Sequence, residues 1–399
     1  MKKIIRLAAV LLLCFGIFVM TAVAVGAATM PNEIIRYETD GEKLSAVYSY
    51  SHTMAAKSVN SQSAYPRTET LRAFGFIPVK TVGVTQKSAP TVAVSGEVFG
   101  IKLYTDGVIV VGTQRVDLGG GKSVNPAADC GIAVGDIIVS INNIRVFTAG
   151  DVTSILNDNN GEAYTIKLKR DGRYKTFQLQ PAYSPREGCY KAGMWVRDST
   201  AGIGTITFYN EKTGTFAALG HQVNDVDTND IMPLLEGEAV SARVTNIQKS
   251  AAGVTGSLWC DFEEHILGRL LDNTDCGLYG AYSEISENAA SYPVASKQTV
   301  RKGSAKILST VEGSTPKEYD IEITRISYNK EAQQRDIVFR VTDETLLSLT
   351  GGIVQGMSGS PILQDGRLVG AVTHVIVNNP EKGYAIFAQT MAEKSEALS

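Results

Sequence analysis

Histidine is scarce in this chain of 399 residues: there are four, at His52, His221, His265 and His374. Imidazole chemistry must therefore fall on one of those positions. The five cysteines, Cys14, Cys130, Cys189, Cys260 and Cys276, form no C-x-x-C pair and no zinc-like spacing, so neither a metal nor another cofactor is expected. Outside the apolar N-terminus, four of them suit either small buried apolar positions or one disulfide. A large charge of one sign is also missing. Lys plus Arg number 38 and Asp plus Glu 41, a net charge of −3, which lacks the basic surface of a nucleic-acid binder. Sustained helical periodicity is rare after the first thirty residues, and this absence predicts a mainly β chain.

What is present begins with Lys2, Lys3 and Arg6, followed by an uncharged apolar run from Leu7 to Val25. Such a run is long enough to span ~30 Å of hydrocarbon, with the basic cluster held on the cytoplasmic side. Ala22-Val23-Ala24 and Gly26-Ala27-Ala28 supply the small residues of a signal-peptidase site, so residues 1–29 fit either a cleaved signal peptide or a retained anchor. Residues 30–80 are polar and Ser-rich, which predicts a spacer or linker.

Residues 81–183 are predicted to form a compact α+β unit. Thr148 and Asp151 make a T-x-x-D capping pair ahead of Val152, Ile155 and Leu156 at helical spacing. Upstream lies Asn125-Pro126-Ala127-Ala128-Asp129-Cys130-Gly131, continuing through Gly135-Asp136-Ile137-Ile138 to Ile141-Asn142. This stretch resembles a PDZ domain. The resemblance implies a peptide ligand adding as a strand in a groove lined by Phe99, Gly100, Ile101, Val152 and Ile155. Pro181, Pro185 and Gly188 mark the next boundary, and short strands fill residues 189–399, as a sandwich or barrel requires.

Within that last region, Gly356-Met357-Ser358-Gly359-Ser360-Pro361 combines a tight turn with small neighbours. Such a turn exposes a hydroxyl and leaves backbone N–H groups able to face a developing oxyanion. It resembles the serine site of chymotrypsin-like peptidases, which implies a double β-barrel, Ser358 as nucleophile, and the N–H groups of Gly356 and Ser358 as oxyanion hole. Among the histidines, His221 ends a strand, follows Leu219-Gly220 and opens a polar loop, as a general base should. His52 sits in the spacer, His265 beside an acidic turn, and His374 in a core strand. For the carboxylate that would fix the imidazole, Asp343 at a strand end competes with Asp225 and Asp227 beside His221.

Three stretches together are similar to the stage IV sporulation protein B peptidase family: Gly193 to Thr205, Ala218 to Thr228, and Gly352 to Ile362. Membership would place catalysis on His221, Ser358 and Asp343. It implies an exported endopeptidase that faces the space between the forespore and mother-cell membranes. Its protein substrates would be itself and a membrane-bound regulator of an intramembrane metalloprotease, so that a sigma-factor precursor is processed. Gln222 departs from the Gly expected after the histidine. Two alternatives stay open on the residues alone: a PDZ scaffold with a degenerate barrel, and an envelope quality-control PDZ protease.

Overall fold

A strand of sixteen or seventeen residues reaches roughly 55 Å, far more than one small barrel is tall, and two such strands lie side by side in this chain. The computed structural model describes residues 2–38, 48–52, 67–157, 161–328 and 334–398. The long strands are β1 (Val98–Thr113) and β2 (Met194–Asn210), paired antiparallel from Val98↔Thr205 at one end to Thr113↔Met194 at the other. Between these ends the register breaks. Thr105 to Val108 bulge out opposite Asp198, with Gly107 at φ 100° and the Thr105 hydroxyl donating to the Asp198 carbonyl at 3.0 Å.

On one side of the bulge β1 and β2 close a ring with β3 (Thr215–Ala218), β4 (Leu234–Gln248), β5 (Ser257–Thr274) and β6 (Gly277–Tyr282), in the order β1-β2-β3-β6-β5-β4. Phe99, Ile101, Leu103, Ile206, Phe216, Leu270 and Leu278 fill it. A second closed barrel follows: β7 (Gly303–Ser309), β8 (Lys317–Ile326), β9 (Ile337–Val341), β10 (Pro361–Gln364), β11 (Arg367–Val375) and β12 (Lys382–Phe387). Its ring order is β7-β8-β9-β12-β11-β10, so each barrel runs first, second, third, sixth, fifth, fourth. Phe208, Ala217, Tyr279, Leu368, Ile386 and Met391 pack together where the barrels meet, Met391 coming from the helix Ala388–Glu396.

On the other side of the bulge the same two strands belong to a different core. The far half of β1 pairs with Ile137–Ile141, which continues through Tyr164–Arg170 to Arg173–Leu179. Two helices complete this PDZ unit. In α1 (Pro126–Cys130) the Asn125 side chain accepts from Ala128 N–H, proline occupies the first turn, and Gly131 closes the end at φ 97°. In α2 (Ala149–Asn157) the Thr148–Asp151 pair bonds reciprocally at 3.0 and 2.9 Å, as its spacing predicts. The Gly135-Asp136 step places the Asp136 carboxylate in the interior, where it accepts from Ala133 N–H at 2.8 Å and from both arms of the Arg170 guanidinium at 2.5 and 2.6 Å.

The PDZ unit is therefore an insertion between the first two strands of the barrel, and the expected succession of PDZ at 81–183 and peptidase at 189–399 is corrected. Phe99, Gly100 and Ile101 are corrected with it. They pair with Gly204, Ile203 and Gly202 on one edge and with Ser241, Val240 and Ala239 on the other, so no further strand can add there. Val152 is buried in the PDZ core and Ile155 packs against it. The expected spacer at 30–80 is corrected too. Its described residues contribute to a four-stranded sheet of Glu33–Tyr37, Tyr48–His52, Arg67–Ala73 and Ile77–Lys87, with buried Glu69 paired to Arg36 at 3.0 Å. Ahead of it the helix Lys2–Thr29 contains Ala9–Ala28, long and apolar enough to cross a membrane at mean hydropathy 2.6.

Shared strands make the PDZ unit and the first barrel one cooperative body. Arg170→Ala leaves the Asp136 carboxylate buried without its cation, a change that costs about 3–5 kcal/mol. In urea denaturation followed by tryptophan fluorescence and by far-UV circular dichroism, the variant should lose stability in one shared transition. A PDZ transition that separates from the rest would contradict the continuity.

Candidate functional site

The loop between β9 and β10 is pinned by the strand β2 of the other barrel. Ser358 carbonyl accepts from Thr205 N–H at 2.8 Å, Gly356 carbonyl from the Thr205 hydroxyl at 2.8 Å, and Gly359 carbonyl from the Thr207 hydroxyl at 2.7 Å. Gly356 and Gly359 stand at φ 100° and 97° on either side of the serine, a backbone that side chains resist. A Cβ on Gly359 would collide with the Thr205 carbonyl. Amides of Met357, Gly359 and Ser360 donate to Val354, Val372 and Met357 carbonyls. Those of Gly356 and Ser358 have no backbone acceptor among the described residues, as an oxyanion hole requires. Ser358 itself is half-buried, and its hydroxyl donates to the Thr373 carbonyl at 2.8 Å.

His221 enters from the corresponding connection of the first barrel, between β3 and β4. Leu219 and Gly220 turn the chain with φ 67° and 70°. Leu219 N–H donates to the carbonyl of the same Thr205 at 3.3 Å, and a Cβ on Gly220 would lie 3.0 Å from both Thr373 and Ile386 side chains. These contacts set the histidine turn against β11, where the His221 and His374 rings lie 4.9 Å apart at 36°. His221 Nδ1 is 2.7 Å from the Gln222 carbonyl. A carbonyl only accepts, so Nδ1 carries the proton and Nε2 keeps the lone pair a base needs. Burial holds the His221 pKa below its ordinary value, against the opposing pull of the Gln222 carbonyl. His374 is pushed down to about 4 by burial first, then by His221 and Arg335. Its Nδ1 is buried without a hydrogen-bond partner among the described residues.

Among the described residues no carboxylate bonds His221. Asp343 caps the helix α3 (Glu344–Thr350), accepting from Leu346 N–H at 2.9 Å and, more weakly, from Asp320 N–H at 3.4 Å. The expectation that it holds the imidazole is corrected by that placement. Asp225 and Asp227 both pair with Arg197, at 2.6 and 2.7 Å. His265 makes an exposed pair with Glu284, and His52 lies on a strand of the N-terminal sheet. Thr205, Thr207, Arg197 and the Gln222 carbonyl escaped sequence reasoning. Threonine in a β-run carries no signal of its own, and backbone carbonyls carry none at all.

The family described as SpoIVB peptidase S55 matches residues 188–392, and a PDZ domain family matches residues 124–170. A Clostridium acetobutylicum protein, assigned by name alone as a zinc metalloprotease, is 40% identical over 70 residues, which cover 18% of this chain and 21% of that protein. The chain thus spans about a fifth of that relative's length. Among the described residues no group of three or more His, Cys, Asp and Glu is placed to hold a metal. Among solved structures, the PDZ domain of an SdrC-like protein from Listeria monocytogenes is 20% identical over 23% of this chain and 87% of its own, with a TM-score of 0.19.

The role of Asp343 separates two variants. Asparagine caps a helix as well as aspartate, whereas alanine costs about 1 kcal/mol. Asp343→Asn should keep both the melting temperature and the rate of serine labelling by a fluorophosphonate, and Asp343→Ala should lower both. Loss of labelling in Asp343→Asn with an unchanged melting temperature would restore the carboxylate to the chemistry.

Proposed function

Because the chain belongs to the SpoIVB peptidase S55 family, a family of serine peptidases, we propose that it cuts protein substrates with Ser358 as nucleophile and His221 as general base. One observation carries the assignment. The two residues stand on equivalent connections of two like barrels, and Thr205 ties both turns together. In the reaction the Ser358 hydroxyl leaves the Thr373 carbonyl and passes its proton to His221 Nε2 as Oγ attacks the scissile carbonyl carbon. The N–H groups of Gly356 and Ser358 stabilise the oxyanion. The imidazolium keeps Nδ1–H on the Gln222 carbonyl and gives the Nε2 proton to the leaving amine. Water then hydrolyses the acyl-serine by the same route.

Asp343 acts here at one remove. By capping α3 it fixes the helix whose C-terminal Gly351 leads into the Gly352–Pro361 loop. The biological setting is taken from the family: an exported or membrane-anchored peptidase at the forespore membrane. There it processes itself and a membrane-bound regulator, setting off sigma-factor precursor processing. The apolar helix Lys2–Thr29 suits that tether. The PDZ unit would take a peptide segment of a substrate or partner, at an edge other than Phe99–Ile101.

Ser358→Ala should abolish both fluorophosphonate labelling and self-cleavage while leaving the circular dichroism unchanged. Labelling of the wild type at another residue, or none, would favour a degenerate barrel. The pH dependence follows from the base. His221 acts when neutral, and burial lowers its pKa beneath 6.5. The midpoint of the labelling rate should therefore lie on the acid side of an ordinary imidazole's, with the rate falling as pH drops through it. A midpoint above 7 would contradict a buried imidazole as base.

A further inference from the structure

The loop that follows His221 is anchored at two places. On one side the Asn273 amide accepts from Val223 N–H at 2.8 Å and donates to the Val223 and Met232 carbonyls at 2.9 and 3.0 Å. On the other, buried Asp225 accepts from Asp227 and Thr228 N–H at 3.0 and 2.9 Å with one oxygen, and from Arg197 with the other at 2.6 Å. The second arm of Arg197 reaches Asp227 at 2.7 Å. Asp225 is three residues beyond Gln222, whose carbonyl sets the proton on His221.

Arg197 belongs to the part of β2 that pairs with the PDZ half of β1, at Ile109, immediately before the bulge. Its neighbour Asp198 turns to the PDZ unit and accepts from Ala149 N–H, at the start of α2, at 2.7 Å. Two consecutive side chains thus hold the histidine loop and the PDZ helix. The same strand reaches the Ser358 loop through Thr205.

We propose that Arg197 is a positioning residue for the general base, and that through it the placement of His221 depends on the PDZ unit. Without the guanidinium, Asp225 is a buried carboxylate lacking its cation. The Asp225–Thr228 turn must then open, and the backbone at Gln222 moves with it. A displacement on the order of 1 Å at a catalytic group lowers rate by up to ~100-fold without touching substrate. The inference rests on Ser358 and His221 as the reacting pair.

The test uses the full chain and the rate at which a fluorophosphonate labels Ser358. In that step an Oγ–P bond forms, fluoride leaves and His221 takes the proton. The maximal rate constant and the half-saturating probe concentration are measured separately. For Arg197→Ala the rate constant should fall by about 10–100-fold, with half-saturation within about twofold. Arg197→Lys keeps one cation but cannot fork to both carboxylates, so it should recover part of the loss. Asp198→Ala, which frees α2 and leaves Arg197, should slow labelling by a few-fold, and an unchanged rate there would overturn the dependence on the PDZ unit. Arg145→Ala removes an exposed pair with Asp106 in the same unit and should change nothing.

Failure of the wild type to label at Ser358 would remove the reading on which the inference rests. Normal wild-type labelling with an equal rate in folded Arg197→Ala, or a loss confined to half-saturation, would overturn the role of Arg197 alone. If Arg197→Ala does not fold, Arg197→Lys decides, with a wild-type rate constant counting against the proposal.

Discussion

Thr205 uses every polar group it has on the site. Its N–H holds the Ser358 carbonyl, its hydroxyl the Gly356 carbonyl, and its own carbonyl accepts from Leu219, two residues before His221. Each bond contributes on the order of 1 kcal/mol net, but each buried partner left unsatisfied would cost more. Nucleophile and base come from separate cores, so nothing local fixes the distance between them. Thr205 supplies that constraint, and Gly359 carries no side chain because the Thr205 carbonyl occupies its space.

The constraint is passed along a strand that also serves a third core. Arg197, Asp198, Thr205 and Thr207 all lie on β2: Arg197 holds the histidine loop, Asp198 the PDZ helix, and the two threonines the Ser358 loop. A β-strand puts neighbouring side chains on opposite faces, which is how Arg197 and Asp198 reach apart. The PDZ unit is consequently wired to the peptidase by covalent continuity as well as by contact.

What could be read from the sequence was local. Asn125 to Gly131 spells a capped helix, Thr148 and Asp151 a capping pair, and Gly356 to Pro361 a serine turn, because each is decided within a few residues. The pairing partners of Phe99, Gly100 and Ile101 are more than a hundred residues away, and a short apolar run looks the same in a barrel as in a peptide groove. Asp343 misled for a related reason: an aspartate at a strand end suits a triad and a helix cap equally, and only the Leu346 amide tells them apart. The strands before residue 88 went unseen because Ser, Thr and Lys interrupt their apolar alternation.

The insertion of the PDZ unit also sets an order of assembly. The first barrel strand is made early, yet its neighbour β2 emerges only after the roughly 90-residue excursion between Tyr104 and Ser199. The ring then waits for β4 and β6, and the Ser358 loop comes later still. Contacts so distant in sequence form slowly. The PDZ half, complete well before the ring can close, is the natural template on which β1 and β2 first align. A chain still emerging from the ribosome would have its histidine and its serine in unjoined segments, and so would be inert until its last strands are in place.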